Sequence, residues 1–164
     1  MTINISNIKT AFKTIMDAAN DTAATFDLSA GLNRRVQKVL KLNPALIPPQ
    51  ASFFPFVTIS LDRKPIELTT IAKDQITGKR RTDLSFNVVG AVWEQVMTAV
   101  TEDPADENIE KLMENVEEVL RRNFKLNDTV SWSRPSDVTY HTLQMAEQTH
   151  MRVGVMTLVC RVDY

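Results

Sequence analysis

The amino-acid sequence predicts an α/β protein of the α+β type, with a mixed, largely antiparallel β-sheet flanked by an N-terminal helix and a second long helix. Two observations predict it. Apolar residues recur at helical spacing near the N-terminus and again between residues 104 and 123, while β-branched runs fill stretches between and after them. The size agrees: 164 residues, 43% hydrophobic and 24% charged, suit a single domain over 1–164 with a core of its own.

From Ser6 to Ala19, apolar residues fall at Ile8, Phe12, Ile15, Met16 and Ala19, which is one face of a helix. Ser6 is the expected cap, because its hydroxyl can accept from a first-turn amide that has no partner inside the helix. Residues 20–33 are small and polar, include Gly31, and read as a connection. Residues 34–42 are ambiguous. Val36, Val39 and Leu40 suit a helix, whereas the β-branched content and the Asn43-Pro44 stop suit a strand, and strand is preferred. Pro44, Pro48, Pro49 and Pro55 then exclude a helix, and Phe56 to Leu61 form a β-rich strand.

Residues 62–81 are rich in charge and read as a long exposed loop. A strand is expected over 82–93, with Leu84, Phe86 and Val88 on one face and Val89, Ala91 and Trp93 on the other. That change of phase predicts a kink near Val88, and Gly90 suggests a bulge. Asp103-Pro104 opens the second helix: aspartate caps free amides, and proline at the first helical position loses no hydrogen bond it could have made. It runs to about Asn123, with Ile109, Leu112, Met113, Val116, Val119 and Leu120 as its buried stripe. Acidic residues at its start and Arg121 and Arg122 at its end oppose the helix dipole. A short strand over 126–132, a turn at 134–137 and a strand over 138–145 follow. The last run, 151–162, is apolar on both faces and belongs in the middle of a sheet covered on both sides.

Nineteen basic against twenty acidic side chains give a net charge of -1, so the chain lacks the positive field of a nucleic-acid binder. The N-terminus has no export signal pattern and no run of about 20 apolar residues occurs, so neither export nor membrane insertion is expected. Cys160 is the single cysteine, expected as a buried, inert thiol. His141 and His150 lack the close pairing of local zinc motifs, and the four glycines are isolated, so no metal, cofactor or nucleotide site is expected. Ser131, Asp137 and His141 could form a dispersed triad, but no nucleophile elbow surrounds any serine and a polar surface is preferred. No catalytic residue is assigned.

Charge is segregated along the chain. In the stretch 62–81, Arg63, Lys64, Lys73, Lys79, Arg80 and Arg81 stand against three acidic residues, leaving +3. Between Glu102 and Glu118 eight acidic residues, among them Asp106, Glu107, Glu110 and Glu114, face only Lys111, leaving -7. Complementary patches of this kind can register copies of one protein against each other; two solvated surfaces are the alternative.

The element order resembles a known family: an N-terminal helix, a proline-rich approach to a strand (IPPQASFFPFVTISL), a long loop, a second strand (RTDLSFNVVGAVW), a helix opened by DPADENIEKLMENVEEVLRRN, and a final strand (MRVGVMTLVCRV). It is similar to the tail terminator proteins of tailed bacteriophages, with related tail-completion and neck proteins close behind. The resemblance covers nearly the whole chain and implies a hexameric ring that caps the head-proximal end of the tail tube and ends tube polymerisation. The implied partners are further copies of the chain, the tail tube protein, a neck or head-completion protein, and in contractile tails the sheath protein. DNA would pass through the ring without specific binding, and the protein would reside in the virion after assembly in the host cytoplasm. The loop and the acidic helix would then lie at ring or tube interfaces. Competing readings are a small adaptor module and an enzyme with a dispersed site.

Overall fold

The computed structural model describes residues 3–47, 50–64, 69–70, 80–95, 104–146 and 149–163. The elements are α1 (Ile5–Ala19), β1 (Lys38–Leu40), β2 (Phe56–Arg63), β3 (Thr69–Thr70), β4 (Arg80–Gln95), α2 (Pro104–Arg122), β5 (Trp132–Ala146) and β6 (Thr149–Asp163). The sheet runs β1-β2-β4-β6-β5, with β3 on the same side of β4 as β2. Only the β1–β2 pair is parallel, so the expected mixed, largely antiparallel sheet with two helices is present.

Both helices form where the periodicity put them. α1 is capped by Asn4 rather than Ser6: the Asn4 side chain accepts from the Asn7 N–H at 3.1 Å, while Ser6 is already inside the first turn. α1 buries Ile8, Phe12, Ile15 and Met16, and every residue of the expected α2 stripe is buried. Both stripes meet Val57, Ile59, Leu84, Phe86, Val88, Met156, Leu158 and Cys160 in one core on one face of the sheet. Each such fully buried aliphatic side chain contributes roughly 1.5–3 kcal/mol.

The connection after α1 is tied by polar contacts. Arg35 donates to both oxygens of Asp27 and to the Asn20 carbonyl, and the Ser29 hydroxyl donates to Asn20 Oδ1 at 2.6 Å. The ambiguous segment 34–42 contains β1, the preferred assignment. Strand pairing also enters the stretch read as a loop: β2 continues to Arg63, and β3 pairs with Arg80 and Arg81.

Further expectations fail. β4 has no kink or bulge at Val88–Gly90, because its register with β6 is unbroken from Arg81↔Asp163 to Gln95↔Thr149. The change of phase is a change of burial: Val89 and Ala91 are covered on the second face as well. Gly90 instead lies opposite Gly154 beneath α2, where an added Cβ would stand 2.7 Å from Met113 Sδ; at Gly154 it would stand 2.5 Å from Met113 Cγ. Residues 126–131 form turns and not a strand, since Leu126, Asn127 and Asp128 take positive φ of 46°, 54° and 59° and tuck Leu126 under the core. Residues 134–137 lie within β5 as a bulge between Pro135 and Val138, where the Ser136 hydroxyl accepts the Thr157 N–H at 3.1 Å in place of a ladder carbonyl.

β6 is interior, as expected, but only one of its faces is fully covered. Gly154, Met156, Leu158 and Cys160 are buried under the helices, whereas Met151, Val153, Val155, Thr157 and Val159 are half-buried on the opposite face. That face carries no helix among the described residues; short 3-10 turns at Pro44–Leu46 and Ala51–Phe53 cover part of it.

Candidate functional site

The side chains singled out by charge fall into three groups. Arg63 and Lys64 end β2, both exposed. Lys73 and Lys79 lie outside the described residues, as does the side chain of Arg80, although its backbone opens β4. Arg81 is engaged within the chain: its Nε donates to Asp163 at 2.8 Å, and the Ser131 hydroxyl donates to the other oxygen of the same carboxylate.

On α2, Asp106 pairs with Arg152 of β6 at 3.0 Å and Glu107 with Lys111 at 2.5 Å. Glu117 and Glu118 take Arg121 and Arg122 one turn on. Glu110 and Glu114 are exposed and have no ion-pair partner among the described residues. Within one copy the two ends of the charge pattern stay apart. Asp106 meets Arg152, which lies opposite Val92, eleven residues along β4 from Arg81, or roughly 36 Å at strand spacing.

The open face of the sheet divides in two. At one end, Asp83 and Arg161 form a two-pronged ion pair at 2.8 Å, and the Arg161 guanidinium also lies over the Trp132 ring. The hydrogen bond from Arg161 holds the Asp83 carboxyl below its ordinary range despite partial desolvation. At the other end Phe54, Phe56 and Ala91 form a small apolar cluster extended by Trp93, Met151 and Val153. Beside it is an apolar groove of about 290 Å³ bounded by Ile47, Val89, Leu143 and Val155. Leu143 is 48% exposed. This surface was missed in the sequence, where the same alternation read as a strand covered on both sides. Apolar period two reports two apolar faces and is silent on what lies against them.

The dispersed triad is not assembled. Ser131 and His141 stand ten residues apart on one extended segment, roughly 30 Å, and the Ser131 hydroxyl bonds Asp163. His141 is exposed on β5, and the side chain of His150 lies outside the described residues. Among the described residues no three His, Cys, Asp or Glu side chains converge on a metal-sized site. Cys160 is fully buried, and desolvation pushes its thiol up to about 12. Among the described residues no helix is long and apolar enough to cross a membrane.

Comparison with protein-family models and with curated proteins returns no match.

Proposed function

We propose that the chain is a structural virion protein that closes into a ring, a hexamer, on the head-proximal end of a phage tail tube. There it ends tube polymerisation and joins tail to neck or head. The observation that carries the assembly half of this reading is the one-sided sheet. Two helices cover one face, while the other keeps an apolar groove over buried Phe54 and Phe56 in which Met151, Val153 and Val155 are half-buried and Leu143 is exposed. Contiguous apolar patches on a small protein mark interaction surfaces. The charge pattern supports head-to-tail contact, since acidic Glu110 and Glu114 and basic Arg63 and Lys64 occupy different parts of the molecule. Heterologous contacts of that kind close into rings when the rotation per copy allows.

The tail-terminator half rests on the resemblance in element order, and names the tail tube protein, a neck or head-completion protein and the sheath protein as partners. A bore that passes DNA without holding it is compatible with the net charge of -1. Light scattering of the purified protein, with negative-stain microscopy of the same sample, tests the reading. Rings of six are expected; a monomer at every concentration sinks it.

A further inference from the structure

The outer edge of β5 is the longest free strand edge in the described structure. β5 ends the sheet and pairs only with β6. Between its two irregularities, Val138 to Gln144 run in regular register, and the sequence there has no Asp, Glu, Lys, Arg or Pro. Exposed edges of natural sheets are ordinarily blocked by such residues or by shortness, because unpaired amides and carbonyls recruit another strand. Residues 139–143 are exposed.

A wall of α2 stands beside this edge. Asp106, Glu110, Glu114 and Glu117 recur on the side of the helix nearest β5, and Glu110 and Glu114 have no ion-pair partner among the described residues. Their field reaches the strand: burial first, and then these four carboxylates, push the Tyr140 phenol upward. At the lower end, helix and strand flank a half-open pocket of about 730 Å³ lined by Glu117, Arg121, Phe124, Trp132, Ser133 and Arg134. Ser133 there is 5% exposed, and its hydroxyl has no hydrogen-bond partner among the described residues.

We infer that this groove takes an extended segment of another protein, carrying Lys or Arg at alternate positions, which adds to the sheet as a strand beside Val138–Gln144. Backbone pairing with β5 supplies the grip, and period-two side chains direct every second residue toward the carboxylates of α2. A second copy of this chain is the poorer occupant for two reasons. Two-fold pairing of β5 with β5 sets two acidic helices on the same side of the joint. Among the described residues the opposite side of the sheet offers only three-residue β1, the bulged end of β2 and two-residue β3. The inference is independent of ring closure, which rests on the open face.

The test uses the full chain at low salt and nine-residue peptides alternating threonine with lysine, and threonine with glutamate. Two further lysine peptides carry backbone N-methyl groups on one or the other alternate set of residues. NMR and hydrogen exchange of the protein read the result. The lysine peptide is expected to bind, shifting and protecting amides within 138–143, and the glutamate peptide to leave them unchanged. At least one N-methylated peptide should bind about ten-fold more weakly. Glu110→Gln with Glu114→Gln should weaken the lysine peptide about five-fold while the circular dichroism spectrum is unchanged. No binding, binding of both N-methylated peptides as tight as that of the unmethylated lysine peptide, or shifts confined to α2 would overturn strand addition. Protection of 138–143 that rises with protein concentration alone would overturn the choice of an unlike partner.

Discussion

Met113 is the side chain on which α2 and the sheet are fitted together. It descends between Gly90 and Gly154, neighbours across the β4–β6 pair, where any Cβ would fall inside contact distance. Gly154→Ala is expected to destabilise by about 1–3 kcal/mol through overpacking, and Met113→Ala by about 2–5 kcal/mol through the cavity it leaves. The double variant should cost clearly less than the two together, because the smaller residue gives the new methyl its space. Urea unfolding measures all three, and simple additivity would show that the glycines serve something other than Met113. In the sequence Gly90 was visible as an anomaly, but its cause lies on a helix 23 residues away, so it read as a bulge. Asp27 gives a second residue-scale prediction. The hydrogen bond from Arg35 lowers its folded pKa, so its stabilisation is complete above the ordinary carboxylate range near 4 and is lost as pH falls through the lowered value. Asp27→Asn should therefore flatten part of the loss of stability as pH falls below about 4. An unchanged acid profile would contradict the assignment.

Elements were legible where their signals are local. α2 carries its start, stripe and terminal charges in one continuous stretch, so its boundary was readable to a residue, and α1 missed only its cap by two positions. β5 was not legible. Pro135, Ser136 and Asp137 are turn formers, and only the Ser136–Thr157 bond from a neighbouring strand shows that the sheet absorbs them. The both-sided apolar pattern of β6 was read correctly as interior, yet the second layer it implied is missing from the described residues. Of the charges read as interface candidates, Glu110 and Glu114 have no ion-pair partner among the described residues, while Arg81, Asp106 and Glu107 are held by partners of their own chain. A substitution on the open face separates fold from assembly. Leu143→Glu, on a 48% exposed side chain, should change stability by no more than about 0.5 kcal/mol. It should nevertheless shift the sedimentation profile toward monomer; unchanged assembly would place the joint away from the apolar groove.

For the whole molecule, exposed Arg63 and Lys64 at the end of β2 and exposed Glu110 and Glu114 on α2 set a charge polarity between two elements. Reversing Arg63 and Lys64 to glutamate is the cleaner test of that polarity, since Arg81 also ties β4 to Asp163 and its loss would disturb the fold. The double reversal is expected to weaken assembly at low salt, with less effect above about 0.5 M, where exposed charges are screened within a few ångströms. A salt-independent loss would instead point to local unfolding at the end of β2. Closure of the copies into a ring is read directly from solution mass by multi-angle light scattering over a concentration series. A mass near six times the 18.5 kDa of one chain, reached as a plateau, is the expected result. A single-chain mass across the whole series, or one that grows without limit, would contradict a closed ring.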